Sequence, residues 1–165
     1  MATAIIFGSS NGDGNTRQLV NTISNNLSAK IFDLNDFNFS FYDYAHHNKN
    51  DDFLPLIHSI LQANHLIFAT PMYWYSMSAQ MKVFFDRLSD LISIEKEIGR
   101  LLKGKKVSLI ATGCDPIPPS CFSEPVRLTA QHLGMHYHSF LYCTCPQDFS
   151  VIEHRPQINQ FLNTL

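Results

Sequence analysis

The sequence predicts an α/β fold: a doubly wound, five-stranded parallel sheet in the order 2-1-3-4-5, with helices on both faces. Three observations lead there. Short apolar runs alternate along the chain with stretches whose apolar residues recur at helical spacing, the pattern of a parallel sheet. The first run is apolar at nearly every position, as a strand buried on both faces requires. The 165 residues contain no repeat, low-complexity tract or linker, so residues 1–165 read as one domain, long enough to bury a full core.

The elements follow in order. Residues 2–7 are the first strand. Residues 16–27 place Leu19, Val20, Ile23 and Leu27 on one helical face. Residues 29–34 form a second strand. Residues 53–63 form a helix, with Asp51 or Asp52 as its cap and Pro55 tolerated in the first turn. A third strand spans 65–70. Residues 77–92 read as one helix, with Met77, Met81, Phe84, Phe85, Leu88, Leu91 and Ile92 on its apolar side. A fourth strand covers 105–112. The breaker-rich segment 115–120 is a loop, and a helix spans 123–133, with Ser123 as cap, Pro125 in its first turn and Gly134 past its end. A fifth strand (136–142) and a last helix (155–162) complete the chain. Residues 35–50, aromatic and polar together, read as a long loop over the fold.

Composition excludes several roles. Twelve Lys and Arg against 14 Asp and Glu give a net charge of −2, which argues against a nucleic-acid binder working by bulk charge. No apolar stretch approaches the roughly 18 residues of a membrane helix, and the chain start lacks a signal-peptide pattern. Cys114, Cys121, Cys143 and Cys145 have no C-x2-C spacing, so they read as free thiols and the compartment as the cytoplasm. His136 and His138 share a strand face without a supporting carboxylate pattern, and no metal site is assigned. Asp86-Arg87 and Glu95-Lys96-Glu97 read as solvated helix charges.

In an open α/β sheet, ligands bind beyond the carboxyl ends of the strands where the strand order reverses. For this order, that crevice lies between strands 1 and 3. The loops at 8–15 and 71–76 border it, with 113–120 alongside. The first loop, from Gly8 through Ser9, Ser10, Asn11, Gly12, Asp13, Gly14 and Asn15 to Thr16, joins a buried strand to a helix. Small residues there let backbone N–H groups turn inward beside the positive end of the helix, an anion site. It is neither a P-loop, because the lysine position holds Gly14, nor a dinucleotide fingerprint, because the third glycine position holds Arg17. The second loop holds Pro71, Met72, Tyr73, Trp74, Tyr75 and Ser76. Three adjacent aromatics over a sheet end ask for something flat to pack on. Together the loops suit a planar phosphorylated cofactor.

The residues Gly8-Ser9-Ser10 and Gly14-Asn15-Thr16, followed by Thr70-Pro71-Met72-Tyr73-Trp74-Tyr75-Ser76 and the helix Lys82-Val83-Phe84-Phe85-Asp86-Arg87, resemble the NAD(P)H-dependent FMN reductase family of the flavodoxin-like superfamily. The resemblance runs from Ala2 to the fifth strand. It implies a flavodoxin-like fold, FMN as cofactor, NAD(P)H as electron donor and a homodimer or higher homo-oligomer. The implied cofactor-binding residues are Ser9, Asn11, Gly14, Asn15 and Thr16 at the phosphate. Pro71, Met72, Tyr73, Trp74, Tyr75 and Ser76 would lie along the ribityl chain and ring, and Thr112, Gly113 and Cys114 at the ring's other edge. The implied reaction passes hydride through FMN to a small acceptor: a quinone, a nitroaromatic or a flavin. It needs position and backbone donors more than an acid or base, so no catalytic side chain is assigned.

Two departures bear on this. Many relatives carry a basic residue in the first loop where this chain has Asp13, which should point away from the phosphate, with Arg17 supplying the charge. Residues 33–52 hold no cysteine, so no iron–sulfur cluster is expected. Two alternatives stay open: a one-electron carrier of the flavodoxin type, and a binding protein with weak or lost FMN affinity. Near-neutral charge favours the reductase over the carrier, which needs a strong field to find its partner.

Overall fold

A computed structural model describes residues 2–165. Five strands, β1 (Thr3–Phe7), β2 (Lys30–Asp33), β3 (His65–Pro71), β4 (Lys106–Gly113) and β5 (His136–Thr144), pair in parallel in the order β2-β1-β3-β4-β5. This is the expected flavodoxin-like, doubly wound arrangement. The apolar alternation of each strand feeds two cores. Ala4 and Ile6 of β1 face one core, with Leu66, Phe68, Val107 and Leu109, under α2 (Phe53–Ile60), α3 (Ala79–Arg87) and α6 (Ser120–His132). Ile5 and Phe7 face the other, with Ile67, Ala69 and Ile110, under α1 (Asn15–Leu27) and α7 (Val151–Thr164). Among the described residues no helix is long and apolar enough to cross a membrane.

The helices depart from expectation at their ends. The helix expected over 77–92 is two pieces. α3 begins at Ala79 because Ser78 caps it, accepting from the Met81 N–H, and α4 (Asp90–Ser93) follows a break after Arg87. A further short helix, α5 (Lys96–Arg100), was not among the expected elements, although Glu95-Lys96-Glu97 read as helix charges. α6 starts at Ser120 rather than after Ser123, so Pro125 lies inside it rather than in its first turn. α7 starts at Val151 under a Ser150 cap, four residues before the expected start. α2 ends at Ile60, earlier than 63.

The segment after β2 is the long connection expected, opened by a 3₁₀ turn (Leu34–Asp36). Residues 37–52 form a strap with no strand or helix of its own. What pins it corrects the reading of Arg87 as a solvated charge. Arg87 is fully buried. Its guanidinium donates to Asp51 (Nη1–Oδ2 2.5 Å), to Asp90 (Nε–Oδ2 2.9 Å) and to the Ser40 carbonyl (3.1 Å), and it lies 4.7 Å from the Phe53 ring centre. Burial alone would raise the Asp51 carboxyl, but hydrogen bonds from Arg87 and from the Phe53 and Ser40 N–H groups outweigh it and hold it below its usual value. Burial likewise opposes the Arg87 charge, and the bonds to Asp51 and Asp90 outweigh that opposition.

Candidate active site

The three loops at the carboxyl edge of the sheet enclose a cavity of about 260 Å³. Ser9, Asn11, Gly14, Asn15 and Thr16 line it from the first loop, Pro71, Met72 and Tyr73 from the second, and Thr112, Gly113 and Cys114 from the end of β4. Trp74, Tyr75 and Ser76 do not line the cavity. Cys145, just past β5, does, and sequence reasoning missed it there. The missed signal was strand length: β5 runs to Thr144 rather than 142, which carries the following cysteine to the sheet edge.

The first loop turns tightly because β1 ends against α3. A Cβ at Gly8 would sit 2.9 Å from the Met81 backbone nitrogen, so only glycine fits. Ser78 locks this crossing by donating to the Gly8 carbonyl (2.7 Å), while its own N–H donates to Thr70 Oγ1 (2.9 Å). Ser78 therefore fixes the first and second loops relative to each other. Within the first loop, Asn11 N–H donates to Ser9 Oγ (3.1 Å) and Asp13 N–H to Asn11 Oδ1 (3.1 Å). α1 then begins at Asn15 with no side-chain cap and no acid in its first turn. Its 13 residues point an uncompensated positive end at the cavity. Thr16 and Thr112, both buried, share a hydroxyl hydrogen bond (2.7 Å) that ties α1 to β4 beneath that end.

Arg17 and Asn15 are placed differently from expectation, whereas Asp13 points away from the cavity as expected. Arg17 does not supply charge to the cavity: its Nε donates to the Gly12 carbonyl and its Nη2 pairs with Asp33. The Asn15 side chain is turned to the segment after β5, donating to the Gln147 carbonyl and accepting from the Phe149 N–H, so its amide is not free for a ligand. Asp13 is exposed and does not line the cavity.

The second loop presents aromatics as its sequence demands. Tyr73 and Ser76 exchange two backbone hydrogen bonds (2.9 and 3.1 Å), closing a two-residue turn. Trp74 and Tyr75 at its tip have φ of 48° and 63°. Turns of this kind favour Asn-Gly, and each bulky residue held there costs on the order of 1 kcal/mol. The turn leaves Trp74 93 % exposed and Tyr75 56 % exposed at the rim. The floor is built by β4: Met72 N–H donates to the Thr112 carbonyl (2.8 Å). A Cβ at Gly113 would meet Tyr142 Oη at 2.5 Å and Met72 Cε at 3.1 Å. Tyr142 donates to the Asp115 carbonyl (2.9 Å), and burial pushes its phenol up to about 12, so it stays a neutral donor.

Comparison with known proteins fixes the family. The family model for NADPH-dependent FMN reductase matches residues 1–140. The chain belongs to the NADPH-dependent FMN reductase family. YwqN of Bacillus subtilis, whose name describes an NAD(P)H-dependent FMN-containing oxidoreductase, is 30% identical over 153 residues, covering 86% of this chain and 83% of that protein. Among solved structures, the Trp repressor binding protein of Bacillus subtilis superposes with a TM-score of 0.78 at 24% identity, covering 99% of this chain and 98% of the other. An FMN-dependent NADH-azoreductase of Bacillus anthracis, solved with FMN, superposes with a TM-score of 0.72 at 10% identity, covering 97% and 95%. The family makes this protein a flavin oxidoreductase, with FMN as cofactor and a reduced nicotinamide as donor.

The cavity suits the phosphate end of such a cofactor. An uncapped helix N-terminus, small loop residues and hydroxyl donors form an anion cradle without a lysine. When bound, FMN supplies the two-electron chemistry.

Proposed function

We propose that this protein oxidises NAD(P)H and passes the hydride through FMN to a small flat acceptor, a quinone, a nitroaromatic or a free flavin. The observation that carries this reading is the pairing of an uncompensated helix end with a strained, outward-facing aromatic turn on one rim. Ser9, Asn11, Gly14, Asn15 and Thr16 would hold the phosphate, with Asn15 acting through its backbone. Pro71, Met72, Tyr73, Thr112, Gly113 and Cys114 would line the chain and ring. The cavity of about 260 Å³ is smaller than the roughly 300–1,000 Å³ usual for ligand pockets, so the ring would extend to the open rim where Trp74, Tyr75 and Ser76 stand. Exposed indole and phenol faces would then stack flat neutral acceptors, which a net charge of −2 neither steers nor repels strongly.

The single domain would work as a homodimer. A wide groove of about 750 Å³, lined by Phe85, Leu88, Ile92 and Leu128 among others, leaves Ile92 and Leu128 about half exposed and offers an apolar face for a second copy. The four cysteines, all free, suit the cytoplasm. The test is NADH and NADPH oxidation by the flavin-loaded protein with each acceptor class in turn. Turnover that rises with a quinone, nitroaromatic or flavin supports the reading. Donor oxidation that none of them accelerates contradicts it.

A further inference from the structure

Two free cysteines, Cys114 and Cys145, line the cavity, and the flavin chemistry does not use their sulfurs. The β4–β5 register ends with Thr112 opposite Cys143 and Gly113 opposite Thr144. The Cys145 N–H donates to the Gly113 carbonyl (2.7 Å), which completes that last pair and holds Cys145 beside the end of β4. Cys114 and Cys145 are the next residue of each segment past that pair. Adjacent strands lie about 4.7–4.9 Å apart, inside the roughly 4.4–6.8 Å Cα separation that a disulfide spans. Strand alternation, extended one residue past each strand, puts both side chains on one face, with Cys145 Sγ 3.5 Å from the Cys143 carbonyl oxygen. Cys114 follows Thr112 by two residues, and Thr112 reaches Thr16 of α1. Cys145 follows Cys143 by two, and both pack in the core beneath α1 and α7. Cys114 Sγ already lies 3.7 Å from the Cys145 carbonyl oxygen, and both residues line the cavity.

We propose that Cys114 and Cys145 form a reversible dithiol–disulfide couple in the floor of the cavity, closed by a hydroperoxide. The two sulfurs differ in surroundings. Cys114 is exposed, whereas Cys145 is buried at 5 % exposure. Burial, helped by the nearby Cys114 and Glu153, pushes the Cys145 thiol up to about 11. Cys114 is thus the attacking sulfur and Cys145 the resolving one. In the first step the Cys114 thiolate attacks one peroxide oxygen. An S–O bond forms and the O–O bond breaks. The sulfur is oxidised to a sulfenic acid, and the other oxygen leaves as an alcohol, or as water from hydrogen peroxide. In the second step Cys145 Sγ attacks that sulfur. The S–S bond forms, the S–O bond breaks, and the hydroxyl leaves as water with the Cys145 proton. In total, two thiols and one hydroperoxide give one disulfide, one alcohol and one water. A dithiol reductant reverses the bond.

The test does not depend on flavin binding, because it reads the thiols by mass. The flavin-loaded protein and the flavin-free protein are each treated with hydrogen peroxide, quenched with N-ethylmaleimide and digested. The expected result is joint loss of label at Cys114 and Cys145, with a linked peptide pair whose fragmentation places the bond between them, reversed by dithiothreitol. Cys143→Ala and Cys121→Ser variants keep the bridge. In Cys145→Ala, Cys114 stops at the sulfenic acid and is trapped by dimedone. Dimedone trapping of Cys114 in the unaltered chain with Cys145 still labelled overturns the proposal. So does a bond that instead runs through Cys121 or between two chains.

Discussion

The cavity and the strap treat polar groups in opposite ways. At the cavity, the first turn of α1 has no side-chain cap and no acid within it, and the best-placed cation, Arg17, is held elsewhere by Asp33. In the strap, each charge that folding buries has a partner: Arg87 meets Asp51 and Asp90, and His46 Nδ1 lies 2.9 Å from Asp90 Oδ1. A segment without its own secondary structure must be fixed by tertiary bonds, and a buried arginine supplies several at once. A binding site must keep its donors free for the ligand. Stability should therefore reside in the strap and affinity at the cavity, and the two should be separable by mutation.

The largest effect is expected from Arg87→Ala. It leaves Asp51 and Asp90 without their cation in a buried site, and such a loss typically costs about 3–5 kcal/mol. Urea unfolding measures it. Adding Asp51→Asn and Asp90→Asn should recover part of the loss, because the uncompensated charges are then gone.

Acid tests the same cluster without mutation. The Asp51 carboxyl is held below its ordinary value of 3.8, so its contribution to stability is fully present above that value. It is lost as pH falls through the lower folded value, because the unfolded chain takes up the proton first. Urea midpoints between pH 6 and pH 3 should fall more steeply for the natural chain than for Asp51→Asn.

At the cavity the signs should reverse. A Cβ on Gly12 meets nothing within 4 Å, so Gly12→Glu is sterically free. Its charge beside the phosphate cradle should weaken FMN roughly tenfold, by titration, with little change in melting temperature. A small gain in stability is expected from Trp74→Gly. Glycine accepts the positive φ without strain, so the fold should gain up to about 1 kcal/mol while acceptor reduction slows.

Legibility follows the same division. The strand order, both cores and the three converging loops were readable because each rests on local pattern: apolar runs, helical spacing, small residues between strand and helix. Arg87 was not readable. Its partners lie 36 residues before it and three after it, and nothing in Asp86-Arg87 distinguishes a buried guanidinium from a solvated one. Arg17 misled for a related reason, since its spacing fits the phosphate loop but Asp33, at the end of β2, competes for it. Asn15 was read as a donor to ligand, yet the segment after β5 claims its side chain. Cys145 became visible at the cavity only once the length of β5 was known. In each case the missing information was a contact between segments distant in sequence.

The phosphate site proposed at the start of α1 is tested by one comparison. The flavin-free protein is titrated with FMN and with riboflavin, which differs by the phosphate alone. FMN should bind at one equivalent per chain, and riboflavin at least a hundredfold more weakly. Equal affinity for the two flavins would mean that the start of α1 does not hold the phosphate.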